Sequence, residues 1–86
     1  MKNVLIINIC KERLHYYEFV KPIEDIINSI NVKYFTRHYK KINKIDLEKA
    51  SHIIICGTSL QDNDFVSYIK QFSWINNINK PLLGIC

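Results

Sequence analysis

Three cysteines in this chain of 86 residues, Cys10, Cys56 and Cys86, each close an apolar run. No C-x-x-C pair occurs, so neither a zinc knuckle nor a dithiol redox motif has its spacing, and no metal site is expected. Cys86 is the most suggestive thiol, because Gly84-Ile85-Cys86 presents Gly-x-Cys where an apolar strand would end. A sharp strand-to-helix turn exposes a sulfur there, and the amides opening the next helix favour thiolate and oxyanion. On Gly-x-Cys alone, a nucleophile and a buried strand thiol both stay open. Cys10 reads as a buried residue ending its strand. His15 and His38 fall in a helix start and a basic connection, where a histidine is ordinarily solvated, and His52 opens its strand at the amino end, away from any active edge. Asp62 and Asp64 resemble a carboxylate pair, but capping a helix accounts for them, and Asp62 or Asn63 is the expected cap. There is no Walker-type or G-x-G-x-x-G loop, so no nucleotide cofactor is implied.

The elements that must position these residues follow from hydropathy. Asn3–Cys10 and His52–Cys56 are apolar throughout, as strands covered on both faces are. Asn31–Arg37 alternates, as a strand nearer an edge does, and residues 81–85 form a last short run. Between the first two strands, Tyr17, Val20, Ile23, Ile26, Ile27 and Ile30 repeat at helical spacing, with Pro22 marking a kink or the true start. Asp46 is the expected cap of a short helix through Ala50. Phe65, Val66, Ile69 and Phe72 predict one face of a further helix, with Trp74 near its end. The order β-α-β-(short α)-β-α-β predicts an α/β fold, a doubly wound parallel sheet of flavodoxin-like type with the apolar first strand interior, in one domain spanning 1–86. In such a sheet Cys10, the Cys56-Gly57-Thr58-Ser59 segment and Cys86 meet along one carboxyl edge.

Composition limits the partners. An apolar share of 48% argues against disorder, and no apolar run is long enough to span a bilayer. The short apolar start lacks a secretory cleavage pattern, so a cytoplasmic location is expected. The net charge of +4 is spread out apart from Lys40, Lys41 and Lys44, which makes nucleic acid an unexpected partner. Tyr16, Tyr17, Tyr34, Phe35 and Tyr39 read as packing residues.

Lys80-Pro81-Leu82-Leu83-Gly84-Ile85-Cys86 resembles the K-P-hydrophobic-hydrophobic-G-[IV]-C run of class I glutamine amidotransferases, which ends on their catalytic cysteine. Ile53-Ile54-Ile55-Cys56-Gly57-Thr58-Ser59 is similar to the family's preceding strand and oxyanion loop, and Val4–Asn8 to its opening strand. The resemblance implies that these residues are the N-terminal half of such a domain, apparently incomplete, with the family's strand order 2-1-3-4. Cys86 would be the nucleophile and the amides of Gly57 and Thr58 would bind the oxyanion. The catalytic His and its acidic partner would lie outside this sequence. It implies glutamine as substrate, a cysteine thioester, and ammonia delivered to a synthetase subunit or domain. Thr58 and Ser59 depart from the family's usual Gly and Pro, and a positive φ at Thr58 would be costly. Two alternatives share the β/α order: a non-catalytic flavodoxin-like binding or regulatory domain, and a cysteine hydrolase of the DJ-1/PfpI type.

Overall fold

The structure, a computed structural model, describes residues 2–85. Its centre is a sheet of four parallel strands, β1 (Asn3–Asn8), β2 (Lys33–His38), β3 (His52–Ile55) and β4 (Leu82–Gly84), in the order β2-β1-β3-β4. Leu5 stands level with Phe35 on one side and Ile53 on the other, and Ile53 with Leu82 beyond it. The order is the expected one, with β1 interior. The β3–β4 ladder runs one residue past the strand, through Ile85 N–H to the Ile55 carbonyl at 2.9 Å.

Both faces of the interior strands are covered, which is why their sequences show no polar alternation. One face packs Leu5, Ile7, Ile9 and Ile53 with Tyr39, Ala50 and the half-buried Phe65, Phe72 and Trp74. The other packs Val4, Ile6, Cys10 and Cys56 under Val20, Ile23 and Ile27.

The first crossover is helical from Arg13 to Ser29, but not uniformly. A short α1 (Arg13–His15) passes through a π turn (Tyr16–Val20) into α2 (Lys21–Ser29), and Pro22 lies in the first turn of α2. Proline has no N–H to return to the preceding turn, and the ladder widens before it, with Lys21 N–H donating to the Tyr16 carbonyl. The extra residue shifts the apolar stripe. Val20 is fully buried and Ile23 and Ile27 half-buried, whereas Tyr17, Ile26 and Ile30 are exposed, contrary to the stripe expected from spacing. Glu24 takes an inward position instead, accepting hydrogen bonds from the Tyr16 and Thr36 hydroxyls, each at 2.5 Å. That bond, reinforced by burial, pushes the Tyr16 phenol up to about 12. The crossover closes on Asn31 in the left-handed region (φ 59°), with Val32 N–H on the Ile27 carbonyl and Asn31 N–H on that of Asn28. These are the two bonds of a Schellman cap.

Two further helical expectations are corrected. The short α3 (Lys44–Lys49) is capped by Asn43, not Asp46; Asp46 answers from the third helical position, its carboxylate accepting from Asn43 N–H. The segment after β3 is a 3₁₀ helix, Asp64–Asn77, kinked at Tyr68. Its tighter winding turns Phe65, Phe72 and Trp74 to the core and leaves Val66 and Ile69 exposed, so the expected α-helical face does not form. Its cap position, Asn63, makes no side-chain bond. No helix among the described residues is long and apolar enough to cross a membrane.

Candidate functional site

The carboxyl edge of the sheet carries an open cleft of about 700 Å³ between the loop that follows β3 and the carboxyl end of β4. Gly57 and Thr58 line one side, Gly84 and Ile85 another, and Cys56, Asp62 and Phe65 contribute walls. The two segments singled out from sequence therefore border one space. Cys86, the expected nucleophile, lies outside the described residues.

Ordinary strand pairing brings the two segments together, through Ile85 N–H on the Ile55 carbonyl. Cys56 N–H donates to the Ile7 carbonyl at 3.1 Å, carrying the β1–β3 ladder up to Gly57. Beyond that point, among the described residues, neither the Gly57 nor the Thr58 amide donates to a protein acceptor. Thr58 does not take a positive φ; Asn31 alone does among the described non-glycine residues. A threonine at position 58 is thus accommodated without positive-φ strain. Gly84 is equally relaxed: a Cβ there would meet nothing within 4 Å. The start of β4 is held by Lys80, whose ammonium donates to the carbonyls of Leu47 and Glu48 at the end of α3.

The two described thiols are poor nucleophiles. Cys10 and Cys56 are buried. Burial pushes Cys56 up to about 12, with Cys10 and Glu24 adding to the rise. Cys10 is also raised, by burial first, with the negative charge of Asp62 adding to the rise. The Cys10 sulfur faces the Gly57 carbonyl at 3.9 Å. The Thr58 hydroxyl is itself buried and has no hydrogen-bonding geometry to any described residue.

Asp62 caps no helix. Its carboxylate spans the crevice between β1 and β3, accepting from Lys11 N–H at 2.8 Å, Glu12 N–H at 3.0 Å and His15 Nδ1 at 2.8 Å. Burial would raise this carboxyl, but those donors outweigh it and hold Asp62 below the usual carboxylate range. His15 is consequently docked against Asp62 with its side chain only 16% exposed, not solvated as expected. Asp64 turns elsewhere, to Lys40 Nζ at 3.1 Å. His38 ends β2 and is likewise docked: Nε2 meets the Cys10 carbonyl at 2.9 Å and Nδ1 accepts from Lys40 N–H. The carbonyl can only accept, so the proton sits on Nε2. His52 is at the amino end of β3, beside the Ser51 hydroxyl, as its position predicts. Nothing in the chain near Asp62 advertises its role, because its partners are 47 to 51 residues away.

No family model, curated protein or solved structure matches this chain.

Proposed function

We propose that the chain is the front part of a glutamine amidotransferase-like domain of flavodoxin-like fold, with Cys86 as nucleophile. The observation that carries this reading is the shared cleft: Gly84-Ile85, leading into Cys86, border the same space as Gly57 and Thr58, whose amides donate to no acceptor among the described residues. An oxyanion site needs donors about 3 Å from the oxygen they stabilise, close to the attacking atom. The Cys86 thiolate adds to the side-chain carbonyl carbon of glutamine, and the oxygen takes up the negative charge facing Gly57 and Thr58. The C–N bond then breaks and, with a proton delivered to nitrogen, ammonia leaves a γ-glutamyl thioester. Water adds to the thioester, the C–S bond breaks, and glutamate and the thiol are released. By the resemblance, the proton-shuttling His and its acidic partner come from outside these 86 residues, and a synthetase subunit or domain accepts the ammonia.

The test pairs glutaminase assays of the full-length protein, its synthetase partner present, with competitive alkylation near neutral pH. Cys86→Ser is expected to abolish glutamine hydrolysis, while Cys10→Ser retains it. Cys86 should label first, since Cys10 and Cys56 are buried and their thiolates disfavoured. Wild-type activity in Cys86→Ser, or no glutaminase activity with the partner present, rejects the reading in favour of a binding domain.

A further inference from the structure

A second concavity, of about 550 Å³, opens at the carboxyl ends of β1 and β2, on the far side of the Asp62 bridge. Its character differs from that of the first cleft. Lys11, Arg13, Lys40 and Lys41 line it, against a single acidic side chain, Glu12. Among the described residues, Lys11, Arg13 and Lys41 pair with no carboxylate, and only Lys40 is engaged, by Asp64. The cations come from two separate segments, residues 11–13 after β1 and 40–41 after β2, and only the parallel pairing of those strands brings them to one hollow. Sequence spacing showed just the Lys40-Lys41 half of the cluster.

The floor of the hollow is cross-linked by hydrogen bonds. Asn8 Oδ1 accepts from Cys10 N–H at 2.8 Å, and His38 joins the end of β2 to the Cys10 carbonyl. The loop amides of Lys11 and Glu12 are already occupied by Asp62, so an incoming anion would be held by side chains and not by a backbone cradle. Like-charged side chains converging on a concave surface focus a positive potential there. The carboxyl ends of parallel strands are also where sheets of this type bind ligands. Arginine and lysine together suit a ligand with several charged oxygens, the fork of Arg13 gripping two of them and the lysines acting as point charges.

We infer that the hollow between the β1 and β2 loops binds a phosphate-bearing small molecule through Lys11, Arg13 and Lys41. The site is separate from the Gly57–Gly84 cleft and stands whether or not Cys86 is a nucleophile. Its concavity favours a compact polyanion over a nucleic-acid strand, which needs an extended basic track.

Inorganic pyrophosphate is the probe, titrated into the ¹⁵N-labelled protein at low ionic strength. Saturable shifts should centre on the amides of residues 11–13 and 38–41. Each of Lys11→Gln, Arg13→Gln and Lys41→Gln should weaken binding about two- to fivefold, the range of a single exposed charge pair, and the triple variant should lose saturation. Lys33→Gln, at the opposite end of β2, should bind as the wild type does. The single variants decide the matter even if the triple variant is unstable. No saturable shift, an equal loss in Lys33→Gln, or an oligonucleotide that displaces pyrophosphate with affinity growing with strand length would each overturn the inference.

Discussion

Asp62 is a buried carboxylate with three donors on one oxygen, two of them backbone amides whose other recourse would be water. Removing it loses three charge-assisted hydrogen bonds that only water can replace, a cost on the order of 1–3 kcal/mol. Its pH dependence has a definite sign. The folded-state carboxyl titrates below its ordinary value of 3.8, so its contribution is fully present above that value and is lost as pH falls through the lower, folded one. Asp62→Asn, which keeps the shape and one acceptor, should therefore be less stable than wild type in urea at neutral pH. The gap between the two proteins should narrow once the pH drops below about 3.8, because the wild type then loses its charge as well. A gap that stays constant down to pH about 3 would mean that the charge contributes nothing and that packing alone is being measured.

Among the elements, α3 isolates a single local device. Six residues are too few to hold a helix by propensity, so it depends on its cap, on Lys80 at its far end and on Leu47 against the core. Asn43→Ala removes the side-chain half of the capping box, leaving the backbone N–H that donates to Asp46, and should cost about 0.5–2 kcal/mol, with amide exchange accelerated at Asp46 and Leu47 before the sheet is affected. Unchanged exchange there would assign the helix to packing alone. The strands were legible because burial on both faces leaves one kind of sequence, an unbroken apolar run, in Val4–Ile7 and Ile53–Ile55. Their order was not legible in the same way: right-handed crossovers restrict the possible orders without choosing one, and 2-1-3-4 was expected from the family resemblance alone. Caps were harder. Asn43 and Asp46 are both cap-forming types three residues apart, and the box is reciprocal, so the sequence does not say which opens the helix. Phe65, Val66, Ile69 and Phe72 fit a 3.6-residue period, yet the aromatic rings are drawn instead to Tyr39, which stacks on Phe72 at 5.3 Å. That contact lies 33 residues away in the chain and leaves no local mark. The same holds at the candidate site: the Gly57-Thr58 loop could be placed from its strand, whereas the Asp62–His15 lock and the four-cation hollow exist only once β1, β2 and β3 are side by side.

At the scale of the whole molecule, the sheet is a thin partition between two half-cores, and adjacent residues of β1 belong to different ones: Leu5 and Ile7 face α3 and the 3₁₀ helix, Val4 and Ile6 face α2. Native domains are stable by only about 5–15 kcal/mol, so mild truncations are the right probe. Ile53→Val trims a fully buried side chain on one face and should cost about 0.5–1.5 kcal/mol. Val20→Ala trims the other face and should cost roughly 2 kcal/mol. The two side chains share no packing cluster, and the sheet backbone between them is pinned by ladders on both sides of β1. Their costs in the double variant should then add to within about 0.5 kcal/mol, while urea unfolding remains a single transition, because neither half-core has a sheet of its own to fold on. Coupling well beyond that margin would show that the sheet transmits strain from one face to the other. Two separate transitions would instead mean that one layer, α2 or the α3 side, detaches while the strands persist.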